Sequence, residues 1–327
     1  MKKNLRFIIF TLLLIGVLVG CSNKKDANEV TIGYFPNLTH IATIVGLENG
    51  YFEEEFGKDV TIKTKTVSNG GLFMEALSTK SIDVGTVGPG PTLNYYVKNP
   101  VFRIISGAVN GGAVLVASEK SGIESLEDLD GKRVAIPVIG STQDVMLRKA
   151  LKDANLNVKE QGGTVELFAA APADTASLFI NNDVDAAATQ EPWGYVLENQ
   201  AKGNLLLSWD EFAWGEESTN TVVTASDEFL KNEAHVEAYL KAHKKAVEFI
   251  QENPEEAQKL VIEHLKDLTG KDLDKDEVAA AFDRLIVTTD INEKVIEEMA
   301  TISKEANYIK DDNIDGLIEL KYLQKLQ

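Results

Sequence analysis

The sequence predicts an α/β protein built from two lobes, and three observations support this fold class. Short β-rich runs alternate with helical stretches from residue 30 to about residue 200. A helix end, an aspartate-bearing turn, a strand and a proline-containing loop occur around Asp83 and again, 102 residues later, around Asp185. The length of 327 residues suits about two domains of about 150 residues each.

The first twenty residues are typical of a secretory signal. Three basic residues precede an apolar run of 14 residues at 7–20. A helix that spans a bilayer needs about 20 residues, so this run is short for a membrane span. The run ends in Leu18-Val19-Gly20-Cys21, which resembles the bacterial lipobox, and this resemblance implies cleavage before Cys21 and its lipidation. Residues 1–20 are therefore predicted to be a signal peptide and 21–29 a lipidated tether, with an uncleaved anchor as the alternative.

The first unit of the mature chain has a β-α-β-α-β order. Strands are predicted at 30–35, 60–67, 82–87, 102–106 and 113–117, and helices at 41–47 and 72–77. This order is typical of an α/β domain with a largely parallel sheet.

The second unit repeats the pattern, and the rest of the chain is helical. Strands are predicted at 133–137, 165–169 and 184–189, with helices at 125–129, 143–151 and 174–180. Four helical segments follow at 227–253, 254–266, 274–285 and 292–307, and 314–326 forms a tail.

The order of these units predicts two crossings between the lobes. The chain leaves lobe one near Gly112 and returns near Thr221. Lobe one is therefore assigned residues 30–112 and 221–327, and lobe two is assigned 113–220. Two crossings form a hinge with a cleft between the lobes.

Charge and missing motifs exclude several functions. The 33 Lys and Arg against 51 Asp and Glu give a net charge of −18, which disfavours binding to nucleic acid. The single Cys allows no internal disulfide, and the four His lack the spacing of metal ligands. Neither a nucleotide-binding fingerprint nor a G-x-S-x-G motif occurs. We therefore predict no catalytic residue, no metal site and no cofactor, and assign Asp83 and Asp185 to turns.

Six loops after predicted strands could line the cleft. They are 36–40, 68–71, 88–92, 110–112, 140–143 and 190–193, all rich in Gly, Ser, Thr, Asn or Pro. All but the hinge loop 110–112 open a helix, and the start of a helix carries about half a positive charge. Together the loops predict a site for a sulfonate, nitrate, phosphate or carboxylate, although plain capping explains any single loop.

The mature chain resembles the solute-binding lipoproteins of bacterial importers for sulfonate, taurine and nitrate. The matching stretches are 32–37, 48–52, 82–89, 125–135 and Glu191-Pro192-Trp193. The resemblance implies the type II periplasmic-binding-protein fold, binding without catalysis, and delivery of the ligand to an ABC permease driven by a cytoplasmic ATPase. It also implies a monomer outside the cytoplasm, attached to the cell membrane through lipid on Cys21.

The resemblance further implies which loop residues contact the small anionic ligand. On lobe one these are Asn37, Thr39, His40, Ser68, Asn69, Gly70, Gly88, Gly90 and Pro91, and on lobe two they are Ser141, Thr142 and Gln143. The candidate site also includes Asn110 and Gly111 of the hinge loop, Trp193 as an apolar wall, and Glu191, which would select an amino group if it faced the cleft.

Several alternatives stay open at this stage. Asp144 follows Gln143, departs from the family's commonest sequence and adds a carboxylate near the site. Relatives with this fold also bind the thiamine pyrimidine precursor, so a receptor for that molecule or for nitrate is the nearest alternative to a receptor for an aliphatic sulfonate or taurine. An enzyme on the same fold, an adhesin or signalling protein, and a metal receptor are more distant alternatives.

Overall fold

The computed structural model describes residues 28–270 and 273–326, apart from the side chain of Thr269. The predicted signal peptide, Cys21 and most of the tether lie outside these residues. Within the described ranges, no helix has both the length and the apolar character that crossing a bilayer requires.

The described residues form strands in two separate sheets. The strands are β1 (Glu29–Tyr34), β2 (Thr61–Thr66), β3 (Val84–Val87), β4 (Phe102–Gly111), β5 (Ala113–Ser118), β6 (Arg133–Ile136), β7 (Glu166–Ala169), β8 (Ala186–Gln190), β9 (Gly203–Leu207), β10 (Thr219–Ser226) and β11 (Leu285–Val287). The first sheet has the order β11-β4-β10-β3-β1-β2, and the second has the order β7-β6-β8-β5-β9.

Helices pack on both sheets. They are α1 (Ile41–Glu48), α2 (Tyr51–Phe56), α3 (Gly70–Ser78), α4 (Pro89–Tyr96), α5 (Thr142–Asp153), α6 (Thr175–Asn181), α7 (Trp193–Gln200), α8 (Asp227–Leu230), α9 (Glu233–Glu252), α10 (Pro254–Thr269), α11 (Lys275–Phe282), α12 (Glu293–Glu305) and α13 (Lys321–Gln324). The fold is thus α/β with two lobes, as predicted, and the residue limits assigned to the lobes stay a prediction.

Both sheets are mixed. Most strands share one direction, as the predicted largely parallel sheet requires, whereas β5, β10 and β11 run against the others. β1 pairs in parallel with β2 and β3, whereas β10 runs antiparallel to β3 and β4. β6 likewise pairs in parallel with β7 and β8, whereas β5 runs antiparallel to β8 and β9. The reason is the double crossing, because β5 and β10 each enter a lobe from the hinge and run against its β-α-β strands.

Local boundaries differ from the prediction at three places. β4 continues to Gly111, so the predicted hinge loop 110–112 is mainly a strand end. The predicted helix 274–285 stops at Phe282, and after a two-residue turn the chain forms β11 against β4. The predicted helix 227–253 is divided, because Asn232 caps α9 after α8 has ended.

The sequence repeat corresponds to a repeated hydrogen bond. Asp83 Oδ2 accepts a hydrogen bond from Thr31 N at 2.7 Å, and Asp185 Oδ2 accepts one from Arg133 N at 2.8 Å. Both donors also lie 102 residues apart in the sequence. The aspartates therefore fix the turn before a central strand to the neighbouring strand, which confirms their predicted role in turns.

Burial of the strands follows the layered architecture. All six residues of β5 and all eight of β10 are buried, because helices cover both faces of each sheet. β2 lies at an edge and is largely exposed, with Lys63 and Lys65 on it, and charged side chains on an edge oppose pairing with other chains. The carboxyl ends of β1, β3, β6 and β8 lie at the space between the lobes, where residues at or directly after these ends line a cavity.

Candidate functional site

A small cavity lies between the two lobes. Its volume is about 60 Å³. Residues of both lobes line it: Phe35, Asn37, Thr39, His40, Ser68, Asn69, Gly70, Gly88, Pro91, Pro137, Val138, Ser141, Thr142, Gln143, Pro172, Gln190, Asn220 and Thr221. An open groove of about 680 Å³ runs beside α3, but only residues 36–81 line it, so it is a surface feature of one lobe.

The starts of four helices line this cavity. Asn37 precedes the turn into α1, Asn69 caps α3, Gly88 precedes α4 and Ser141 caps α5. The cap oxygens accept from their own helices, such as Asn69 Oδ1 from Leu72 N at 3.0 Å. The positive ends of four helix dipoles therefore border the cavity, which favours an anion there.

His40 contributes a neutral ring to the cavity. Burial lowers the pKa of His40 to about 3. Its Nδ1 lies 2.8 Å from Thr86 Oγ1, which in turn lies 3.0 Å from Thr43 Oγ1. The ring also packs against Phe35 with centroids 4.4 Å apart. At neutral pH His40 therefore offers hydrogen bonds and surface, but no positive charge.

Asp144 does not face the cavity, although the sequence places it next to Gln143. Its side chain is fully buried, and its carboxylate accepts hydrogen bonds from Gly140 N at 2.7 Å and Arg148 Nε at 2.9 Å. Tyr308 OH donates to the same carboxylate at 2.5 Å. The carboxylate therefore holds the loop before α5 in shape, and Arg148 balances its charge.

Glu191 also lies away from the cavity lining. Its Oε1 is 2.8 Å from Arg284 Nη1, and its Oε2 accepts a hydrogen bond from Tyr195 N at 3.0 Å. Burial raises the pKa of Glu191, and the neighbouring Arg284 guanidinium opposes this rise. Glu198 shares the same guanidinium at 2.6 Å. The expected selection of an amino group by Glu191 therefore has no structural basis.

Of the 16 candidate ligand-binding residues, eleven line the cavity. The other five are Gly90, Asn110, Gly111, Glu191 and Trp193, which do not line it. Asn110 and Gly111 belong to β4, and Gly111 has a φ of 67°, which suits the turn at the strand end. Trp193 starts α7 and is only half-buried. Gly90 N donates a hydrogen bond across the cleft to Thr142 Oγ1 at 3.2 Å.

Six lining residues lie outside the predicted cleft loops. They are Phe35, Pro137, Val138, Pro172, Asn220 and Thr221. A seventh, Gln190, belongs to the predicted loop 190–193 but was not among the candidate ligand contacts. Phe35 and Pro137 are the last residues of their predicted strands, so including the last residue of each predicted strand would have found them. Asn220 and Thr221 lie within β10, and nothing in their local sequence indicates that the crossing strand borders the cleft.

The lobes touch across the cleft, so the structure is a closed form. Asn94 Nδ2 donates to Gly140 O at 3.1 Å. Gln143 Nε2 donates at 3.2 Å to Asn220 Oδ1, which lies on β10 of the first sheet although the predicted limits place it in lobe two. Among the described residues, no group of three or more His, Cys, Asp and Glu side chains is arranged to hold a metal ion. The contacts across the cleft thus close a small cavity that neutral polar groups line in part.

Two α/β lobes around a polar cavity, with the chain crossing twice between them, define the class of solute-binding proteins with the periplasmic-binding-protein fold. The chain belongs to the NMT1-like family, whose model matches residues 23–265. The taurine-binding periplasmic protein of Escherichia coli K12 is 25% identical over 233 residues, which is 70% of this chain and 68% of the relative.

Solved structures confirm the fold class. The alkanesulfonate-binding protein SsuA from Xanthomonas axonopodis pv. citri, bound to MOPS, superposes with a TM-score of 0.74 at 19% identity, covering 87% of this chain and 95% of that one. The periplasmic nitrate-binding protein NrtA from Synechocystis PCC 6803 has a TM-score of 0.74 at 14% identity, covering 92% of this chain and 88% of that one. At these identities the structures show the fold alone.

Proposed function

We propose that this chain is the extracytoplasmic solute receptor of an ABC importer. It captures a small anion, an aliphatic sulfonate or taurine, and delivers it to a membrane permease driven by a cytoplasmic ATPase. The observation that carries this proposal is the cavity between the lobes, which the starts of four helices line. The alkanesulfonate-binding and taurine-binding proteins among the similar proteins support the same class of ligand.

Binding and closure are coupled in this proposal. The ligand first contacts the starts of α1, α3 and α4 in lobe one, which is assigned residues 30–112 and 221–327. The start of α5 in lobe two, residues 113–220, then completes the site. A ligand that binds the closed form more tightly shifts the hinge equilibrium toward it, and the permease recognises the closed shape.

Binding without catalysis fits the groups present in the cavity. The hydroxyls of its polar wall belong to Thr39, Ser68, Ser141, Thr142 and Thr221, whereas the His40 imidazole is hydrogen-bonded to Thr86. No pair of nucleophile and base is therefore formed among the lining residues. Recovery of a bound sulfonate chemically unchanged after long incubation supports a receptor, and recovery of a product would favour an enzyme.

We further propose that the signal peptide 1–20 is removed and that lipid on Cys21 anchors the protein outside the cytoplasm. Cys21 is the only cysteine of the chain, and the cavity is complete within one copy, which supports a monomer. Replacing Cys21 by serine should move the protein from the membrane fraction to the soluble fraction of fractionated cells. Retention of the variant in the membrane fraction would contradict the lipid anchor.

The hydroxyl of Thr142 provides a direct test of the site. Thr142→Ala should weaken the binding of ethanesulfonate about tenfold, because one hydrogen bond to a charged group contributes about 1.5–3 kcal/mol. Isothermal titration calorimetry measures the change. Thr79→Ala, on the exposed end of α3, is the matched control and should bind as the wild type does. If Thr142→Ala and Ser141→Ala both keep the wild-type affinity, the site is elsewhere.

The neutral His40 predicts that affinity does not depend on pH. A histidine with a pKa of about 3 is unprotonated throughout the range from pH 5 to pH 8, and sulfonates stay anionic there. The dissociation constant of ethanesulfonate should therefore change less than about twofold over this range, as titration at four pH values would show. A marked tightening at pH 5 would mean that His40 gains a proton and contradict its neutral role.

A further inference from the structure

The lining of the cavity carries no net charge. None of the lining residues is Asp, Glu, Lys or Arg in the part of the chain that the structure describes. His40 is neutral as well, because burial lowers its pKa to about 3. The negative charge of a ligand would meet only helix dipoles and neutral donors, and a positive charge on the same ligand would meet no carboxylate.

The two carboxylates that directly follow a lining residue in the sequence, Asp144 after Gln143 and Glu191 after Gln190, are already occupied. Asp144 pairs with Arg148 at 2.9 Å, and Glu191 pairs with Arg284 at 2.8 Å. All four groups are largely buried, with side-chain exposures of at most 15%. A ligand ammonium could reach one of these carboxylates only by displacing a buried guanidinium, which would leave that guanidinium without its partner.

The cavity is also small. A water molecule requires about 10–15 Å³ of cavity volume on the same scale. The volume of this cavity, about 60 Å³, therefore corresponds to about four to six non-hydrogen atoms. Methanesulfonate has five non-hydrogen atoms and ethanesulfonate has six. Each additional non-hydrogen atom fits this volume less well.

One part of the wall is apolar. Phe35, Pro91, Pro137, Val138 and Pro172 all contribute to the lining. Apolar side chains favour an alkyl group over a fully polar anion, because burying the alkyl group removes apolar surface from water. This wall distinguishes a short alkanesulfonate from nitrate, which has no alkyl group.

We propose that this site selects short alkanesulfonates without an amino group and rejects taurine. The inference rests on the proposed function as an anion receptor and narrows its ligand. Taurine combines a sulfonate with an ammonium, and the ammonium would be buried here without a counter-charge. Rejection thus follows from the neutral lining, whereas the preference for a short alkyl chain follows from the volume and the apolar wall.

A set of matched ligands tests the selection. Isethionate and taurine have the same number of non-hydrogen atoms, but isethionate carries a hydroxyl group where taurine carries an ammonium group. Calorimetry on the purified protein should give methanesulfonate and ethanesulfonate the tightest binding, and taurine should bind at least thirtyfold more weakly than isethionate. Taurine binding within threefold of isethionate, or nitrate binding more tightly than both alkanesulfonates, would overturn the inference. Failure of every sulfonate and of nitrate to bind would instead overturn the proposed function.

A charge introduced at Gln190 provides the reciprocal test. Gln190 Oε1 is buried and has no hydrogen-bond partner among the described residues, and the residue lines the cavity. Gln190→Glu keeps the side-chain shape and should improve the affinity for taurine relative to isethionate at least tenfold. Gln324→Glu, on the exposed α13, is the matched control and should keep the wild-type ratio. An unchanged ratio in Gln190→Glu would contradict the role of the neutral lining.

Discussion

Replacing Gly88 by alanine should abolish tight ligand binding while the two lobes stay folded. A Cβ at this position would lie 2.2 Å from Thr142 Oγ1 and 3.3 Å from Thr142 Cβ. Thr142 belongs to the opposite lobe, and the backbone of Gly88, with φ −69° and ψ 146°, suits any residue. The added methyl group therefore keeps the lobes apart without straining either one.

We expect Gly88→Ala to weaken the binding of ethanesulfonate at least a hundredfold in calorimetry, because the open form lacks the groups of the second lobe. Small-angle scattering should show that the variant does not contract when ethanesulfonate is added. Gly71→Ala is the matched control, since its Cβ would meet only Asn69 and Tyr95 of its own lobe, at 3.3 and 3.7 Å. Wild-type affinity in Gly88→Ala would show that closure does not bring these residues together.

The sequence predicted the loops of the site because their signals are local. A glycine or an amide side chain at a strand end, followed by a helix, is a pattern within a few residues. Asn37, Asn69 and Ser141 cap their own helices through side-chain oxygens, so their roles required no knowledge of distant contacts. Eleven of the candidate residues line the cavity for this reason.

Contacts that close the cleft had no such signal. Gln143 meets Asn220 across 77 positions of sequence, and Tyr308 meets Asp144 across 164. Nothing near these residues indicates a partner, because each contact exists only when both lobes are assembled. The strand β11 was likewise not predicted, and its first residue, Leu285, was assigned to a helix, since a short strand at a sheet edge is defined by its pairing with β4.

Two further residues that contact the second lobe lie beyond the family match. The family model ends at residue 265, whereas Arg284 and Tyr308 reach the second lobe from later positions. The family match therefore includes every residue that lines the cavity and the contacts of Gly90, Asn94 and Gln143 across the cleft, whereas the contacts of Arg284 and Tyr308 lie outside it.

Replacing Arg284 by methionine should lower the free energy of unfolding by about 3–5 kcal/mol at pH 7.5, because it leaves the fully buried Glu191 without its counter-ion. Urea unfolding followed by circular dichroism measures the loss. Arg133→Met is the matched control. Arg133 Nε lies 2.9 Å from Glu166 Oε1, and the two side chains are 43% and 35% exposed. Exposed pairs contribute about 0–1 kcal/mol, so the control should change little.

The loss in Arg284→Met should shrink as the pH falls. Burial raises the pKa of Glu191 in the folded protein, and removing Arg284 raises it further, whereas in the unfolded chain it stays near about 4.3. Between these two values the folded state binds the proton more tightly, so acidification stabilises the variant and the gain is complete only below the unfolded value. Unfolding at pH 7.5 and pH 5 should therefore show a smaller deficit relative to wild type at pH 5. A deficit that grows on acidification, or one no larger than in Arg133→Met, would show that Glu191 does not depend on Arg284.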